Sequence, residues 1–495
     1  MDEDSKIQSR QKIVIIGAGP VGSLAALYAA QRGHDVEVYE LRSAPDLRDP
    51  CTTPLNFTKS INLALSERGI NALKHSQRPQ LVDKILDETI PMRARMIHGR
   101  RKSGSLYEES QDYDIHGKKI FAVDRSTLNS RLLDELDIFP NVQLFFKHKL
   151  VGLDLDSRKV KLEYAPDSAT DISDEGNKPR EFEVDFDLII GADGAHSAVR
   201  QHMMKYLRMD YAQSYVDTLW CEFTIQPKYL PSNDQNSRPE FQISPEHLHI
   251  WPGKEYMFIA IPSNSRKFIC TLFAPSYVFE KLSQSPQDLL EFFYQNFPGV
   301  APELIPPASL IESFSRNPHL PLISIQCSPH HVRDCAVILG DATHAMVPFY
   351  GQGMNAGFED VRVLFQTLDM YSTSSHPSQD RRALALEQFS ALRVEDSQAI
   401  SRLSLENYME MRSSVTSRLY KCRKLLEEKL NFWFPSLGWA TKYSRVSFGN
   451  MRYSEVCKRS DYQGAIISYI FQGIGMVALS GALWIALKLR RAYVK

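Results

Sequence analysis

The stretch IVIIGAGPVGSLAALYAAQRGHDVEVYELR, residues 13–42, decides the fold. IVII is a short apolar run suited to a strand buried on both faces. GAGPVG then sets Gly17, Gly19 and Gly22 in G-x-G-x-x-G spacing, SLAALYAAQRG has helical composition, and DVEVYE alternates as a second strand closed by Glu40. Gly17 permits the tight turn, Gly19 lets backbone N–H groups approach a pyrophosphate, and Gly22 allows close helix–strand packing. The positive end of the helix stabilises phosphate charge. Glu40, 21 residues after Gly19, is placed to accept hydrogen bonds from adenosine ribose hydroxyls. A carboxylate there repels a 2′-phosphate, so the motif suits FAD or NAD rather than NADPH.

The rest of the chain bounds the answer. Its 495 residues hold two or three domains, and the composition is that of a globular protein. With 58 basic and 59 acidic residues the net charge is −1, so no global field favours nucleic acid, and a small-molecule partner is expected. Seven scattered cysteines without a CxxC pair argue against a disulfide framework or a metal site and for a reducing compartment. The acidic N-terminus MDEDSK has no apolar signal region. From Ala465 to Leu487 run 23 residues without a charge, flanked by Lys458, Arg459, Lys488, Arg490 and Arg491. As a helix this is about 35 Å long, enough for a hydrocarbon core of roughly 30 Å. It is expected to be a transmembrane tail anchor with the globular mass facing the cytosol.

Two further motifs choose the cofactor. VDFDLIIGADGAHSAVR (184–200) is a strand ending at Asp193, and CAVILGDATHAMVPFYGQGMNAGFED (335–360) is a buried strand ending at Asp341, then a glycine-rich turn into a helix. Taken alone, the second is also readable as a tight strand-to-helix turn. The three motifs in this order resemble the class A flavoprotein monooxygenases, the aromatic hydroxylases. The resemblance implies that the first motif holds the FAD pyrophosphate, that the Asp193 motif serves flavin and nicotinamide cofactor, and that Asp341 binds the ribitol side of FAD. The helix after GQGMNAG would then point its N–H groups at the flavin edge where negative charge gathers on reduction. NADPH as transient reductant and O2 as oxidant are likewise implied by the family.

KSINLALSERG (59–69), IPMRARMIHG (90–99), LHIWP (248–252), CTLF (270–273) and NYMEMR (407–412) narrow the resemblance to the kynurenine-hydroxylating branch of that family, over nearly the whole chain. This implies 3-hydroxylation of L-kynurenine through a C4a-hydroperoxyflavin, in tryptophan catabolism and NAD synthesis, at the mitochondrial outer membrane. Arg95 would bind the substrate carboxylate, with Tyr107, Asn407 and Tyr443 as polar partners and Phe273 and Phe349 as the apolar wall. Around the flavin the resemblance adds Val21, Tyr39, Leu41, Arg42, Ala64, Arg125, Leu150, Ala198, Met354 and Asn355. No acid–base side chain is demanded, because the aniline nitrogen already activates the ring, and no metal is expected.

The expected fold is α/β: a Rossmann-like FAD-binding domain (10–204, returning at 326–382), a mixed-sheet substrate domain (205–325), C-terminal helices (383–460) and the transmembrane helix (465–487). A polar loop is expected at 167–181. Two rival functions are a hydroxylase of another aromatic acid, and a membrane-tethered flavoprotein without catalysis. A flavin halogenase is disfavoured because no WxWxIP-type motif occurs, and a plain NAD dehydrogenase leaves 340–360 unexplained.

Overall fold

The computed structural model describes residues 10–43, 47, 63–164, 180–229, 239–372, 378–413 and 417–493. Most of the expected loop at 167–181, and residues 59–62 of the KSIN motif, lie outside the described residues.

The apolar strand Lys12–Ile16 sits in the middle of a six-stranded sheet, between Asp35–Glu40 and Leu188–Gly191, both parallel to it. Val142–Phe146 extends one side; Ala336–Ile338 and the antiparallel edge strand His331–Val332 extend the other. Thus all three motif strands run side by side, and their carboxyl ends carry Gly17, Asp193 and Asp341 to one edge. That edge is where open α/β sheets bind ligands. The helix Pro20–Gln31 is buried around most of its circumference, which is why its sequence is small and apolar on every side. It packs in one core cluster with the helix Gly353–Ser372 through Leu24, Leu27, Phe358 and Phe365.

A seven-stranded mixed sheet forms the second layer, in the order Leu320–Ser328, Asp210–Ile225, Phe268–Ala274, Met257–Pro262, His247–Pro252, Ala94–Arg100, Leu106–Asp112. All its pairings are antiparallel except that of His247–Pro252 with Ala94–Arg100. Two of its strands therefore come from within the 10–204 segment. Side chains alternate between the faces. Phe223, Trp251 and Phe258 pack with helices of residues 276–316 on one face, while Ile97, Ile250 and Phe273 meet Phe349 and Tyr408 on the other.

The C-terminal part is helical: Ser378–Arg412, Arg418–Trp433, Lys442–Ser447 and the 41-residue helix Tyr453–Tyr493. Among the described residues no helix is long and apolar enough to cross a membrane. The expected span at 465–487 falls in the last helix, and many of its side chains lie outside the described residues.

Candidate active site

At the cofactor end, Gly17 has φ +100°, a conformation that favours glycine, and donates its N–H to Tyr39 O at 2.8 Å. A Cβ on Gly22 would lie 1.9 Å from Gly17 O, and one on Gly17 would lie 2.5 Å from Ala192 O. Gly19 is different: nothing lies within 4 Å of its Cβ position, and the helix it caps has no side-chain cap. The first N–H groups of that helix are therefore not met by a capping side chain. Glu40 accepts from Ala18 N–H at 2.8 Å and from Arg42 Nε at 2.6 Å, which tethers the second strand to the glycine turn.

The other motifs close the same crevice. Val21 reaches across to Gly340 and Gly357, whose Cβ positions would lie 3.2 and 2.6 Å from its methyl groups. Gly340, at φ +59°, turns the strand so that the exposed Asp341 opens the next helical turn. Arg125 begins the helix Arg125–Leu136 and has Asp341, Arg42 and Glu40 as its charged neighbours. Asp193 accepts from Ala198 N–H at 2.7 Å with one carboxylate oxygen, while the other is buried without a partner among the described residues. Burial raises the Asp193 pKa above the ordinary value. Asn355 accepts from Ser66 N–H at 2.9 Å and donates to Ala64 O at 2.7 Å, clamping the Leu63–Leu65 strand to the start of the Gly353–Ser372 helix. Met354 precedes it on that helix. Leu41 is exposed beside Arg42. Leu150 and the Tyr39 ring pack in an apolar cluster with Ile16 and Val199, so their side chains are core.

His344 is not free to act on a ligand. It is buried and bonded at 2.6 Å to Asp360, which also takes Gly340 N–H at 2.9 Å and Arg393 Nε at 2.6 Å. Although burial disfavours its charge, Asp360 outweighs that and the pKa rises. Arg393 continues to Glu359 and Asp396, and Glu359 pairs with Arg68. This buried network fixes the helix at the crevice against the C-terminal helices. His196 is exposed.

The substrate end is a cavity of about 210 Å³ lined by Arg95, Tyr113, Tyr350, Asn407, Glu410, Tyr420 and Tyr443, among others. Arg95 is buried; its Nη1 donates to Glu410 Oε1 at 2.8 Å and its Nη2 to Asn407 Oδ1 at 3.2 Å. Its Nε has no partner among the described residues. Burial disfavours the guanidinium charge, but Glu410 and the surrounding tyrosines outweigh it, so the pKa is raised. Tyr443 stacks on Tyr113 (5.0 Å) and Tyr350 (5.4 Å) and lies 4.4 Å below the Arg95 guanidinium carbon. Asn407 donates to Phe349 O at 2.7 Å. Phe349 meets Phe273 edge-on at 4.8 Å and stacks on Tyr408 at 4.1 Å, forming an apolar wall next to the cavity.

Arg95, Asn407 and Tyr443 are therefore brought together, and Tyr107 is not. The register pairs Arg95 with Gln111 and Gly99 with Tyr107, so Tyr107 sits four residues, roughly 14 Å, along the strand. Its ring covers Gly99. The tyrosine beside Arg95 is Tyr113, whose buried hydroxyl makes no hydrogen bond of standard geometry among the described residues. Nothing in sequence spacing separates the two tyrosines; strand pairing does. Glu410 is the other residue that motif spacing does not single out, although a residue three positions beyond Asn407 shares its helix face.

These features match known proteins in two stages. The FAD binding domain family model matches residues 10–219 and 299–379, the segments that build the crevice. Among solved structures the chain resembles Pseudomonas aeruginosa PqsL in complex with 2-aminobenzoylacetate, with TM-score 0.60, 18% identity, and coverage of 82% of this chain and 97% of that one. It also resembles 2-methyl-3-hydroxypyridine-5-carboxylic acid oxygenase, with TM-score 0.58, 17% identity, and coverage of 83% and 94%. At that identity the likeness concerns the fold, and the fold is that of the FAD-binding monooxygenases. In sequence, kynurenine 3-monooxygenase of Neurospora crassa is 58% identical over 489 residues, covering 97% of this chain and 93% of the relative. That of Chaetomium globosum is 58% identical over 480 residues, covering 95% and 98%. The chain belongs to the kynurenine 3-monooxygenase family.

Proposed function

We propose that this protein hydroxylates L-kynurenine at the 3-position, with FAD bound, NADPH as reductant and O2 as oxidant. The observation that carries the reading is the buried Arg95, whose Nε has no hydrogen-bond partner among the described residues, beside the buried Tyr113 hydroxyl in an aromatic cavity. A guanidinium fork and a phenol so placed suit the carboxylate of an aromatic amino acid.

The crevice fits FAD. The space over Gly19, the uncapped helix after it, Arg125 and the Asp193 carboxylate, one buried oxygen of which has no partner among the described residues, supply donors and acceptors for a dinucleotide. Gly17, Gly19, Gly22, Glu40, Arg42, Arg125, Asp193, Asp341, Met354 and Asn355 would hold it, and the flavin supplies the oxygen-transferring chemistry when bound. The chain's own residues do the rest. Arg95 and Tyr113 anchor the carboxylate, Asn407 and Tyr443 orient the amino acid, and Phe273 and Phe349 limit one side of the ring site. The helices Ser378–Arg412 and Arg418–Trp433 wall the cavity and exclude water.

The 465–487 segment serves, in this reading, as a tail anchor in the mitochondrial outer membrane, with the catalytic mass on the cytosolic side. Its support is 23 uncharged residues inside one 41-residue helix, flanked by basic residues.

The test is NADPH oxidation by the FAD-loaded protein with and without L-kynurenine, with 3-hydroxykynurenine followed by chromatography. Strong stimulation with matching product is expected. Stimulation without product makes kynurenine an uncoupling effector, and no stimulation from a yellow protein points to another aromatic acid.

A further inference from the structure

The end of the helix Arg418–Trp433 and the turn after it expose Phe432 (68%), Trp433 (61%), Phe434 (51%) and Leu437 (61%). Four large apolar side chains within six residues form a surface that a soluble face does not need. What lies beside them indicates the occupant. Gly438, which ends the turn, gives its carbonyl to Arg445 at 2.7 Å and to Gln463 at 3.4 Å. Arg445 also donates to Gln463 Oε1 at 2.8 Å. Gln463 stands two residues before Ala465, where the uncharged run of the last helix begins. The aromatic turn is therefore pinned at the level where that helix changes from polar to uncharged. Basic groups surround it: Lys429 lies 5.5 Å over the Trp433 ring, and the Arg423 guanidinium approaches Gly464.

We propose that the turn 432–437 is a second membrane contact, inserting Phe432, Trp433, Phe434 and Leu437 into the headgroup–acyl boundary beside the tail. This rests on the tail-anchor reading and extends it. Aromatic rings partition to that boundary, and neighbouring lysine and arginine side chains snorkel toward anionic headgroups. The consequence reaches the site. The same helix presents Tyr420, Arg423, Lys424 and Glu427 to the substrate cavity, and Tyr420 donates to Glu410 Oε1 at 2.8 Å. Docking of the turn holds one wall of the cavity against the bilayer surface.

The test labels the full-length, FAD-loaded protein with an environment-sensitive fluorophore at Phe434→Cys or, separately, Met476→Cys. Cys51 and Cys422 are replaced by serine, and retained flavin is the folding control. Each protein is reconstituted in phosphatidylcholine–phosphatidylserine vesicles with and without doxyl-labelled lipid. The expected result is a blue shift at both positions and loss of most of the emission to the lipid-borne quencher. Quenching at 476 but water-like emission at 434 overturns the second contact and leaves the anchor standing. Emission at 434 that is shielded yet insensitive to doxyl lipid means that another copy of the chain covers the turn, which also overturns it. Water-like emission at both positions removes the anchor and the contact together. Quenching at 434 alone supports docking without the span.

Discussion

Arg95 Nη1 donates to Glu410 Oε1 at 2.8 Å, joining residues 315 positions apart. A buried guanidinium is stable only if its charge is compensated, and in the unliganded protein Glu410 does this. The remaining nitrogen, Nε, is buried and has no hydrogen-bond partner among the described residues. Arg95→Ala is expected to weaken a carboxylate substrate by about 2–4 kcal/mol, roughly thirty- to several-hundred-fold in KM. Arg95→Lys is expected to recover little of it, because an ammonium cannot reproduce the planar fork. Steady-state kinetics with L-kynurenine, at unchanged flavin content, decide this; an unaltered KM would remove Arg95 from the site.

Tyr113 and Tyr107 make opposite predictions. Tyr113→Phe deletes a hydroxyl that has no hydrogen bond of standard geometry among the described residues, so folding stability is expected to change little while KM rises by about 1–2 kcal/mol, on the order of tenfold. Tyr107→Phe is expected to leave KM unchanged, since its ring lies over Gly99. Measuring both variants side by side separates strand register from sequence spacing as the guide to the site.

Two glycines of one motif differ in what they protect. Gly22→Ala drives a Cβ to within 1.9 Å of Gly17 O, so it is expected to lower both the unfolding temperature and the flavin content. Gly19 has backbone angles of φ −68° and ψ 176°, and its Cβ position is open. Gly19→Ala is therefore expected to spare the apoprotein's unfolding temperature and weaken FAD binding. Flavin absorbance and thermal unfolding of the stripped protein read the two effects separately.

Acid is expected to destabilise the fold through buried histidines. Burial lowers the pKa of His98 to about 3, His249 to about 4 and His330 to about 3, each from an ordinary 6.5. The unfolded chain then binds protons that the folded chain refuses. Their stabilisation is complete above an unfolded pKa of about 6.5 and is lost as pH falls toward the folded values. Urea midpoints should fall steadily from about pH 7 to about pH 5. A flat profile would mean that these histidines are protonated in the native state.

Much of this was legible before folding, and the boundary has a physical cause. Residues 13–42 encode a backbone path: a buried strand, glycines without Cβ atoms, and a small apolar helix. Phosphate recognition there uses main-chain N–H groups, so local sequence suffices to place the cofactor end and the parallel order of its strands. The substrate end follows another logic. Its side chains come from strand Ala94–Arg100, helix Ser378–Arg412 and helix Lys442–Ser447, and no local rule brings them together. Resemblance indicated Arg95, Asn407 and Tyr443, yet it pointed to Tyr107 because spacing alone cannot count strand register. Antiparallel pairing puts Gln111 opposite Arg95 and leaves Tyr113 beside it. The sequence by itself determined the cofactor turn and the uncharged run at 465–487. Only the tertiary structure decided which tyrosine faces the buried arginine, that Glu410 balances its charge, and that the aromatic turn stands where that run begins.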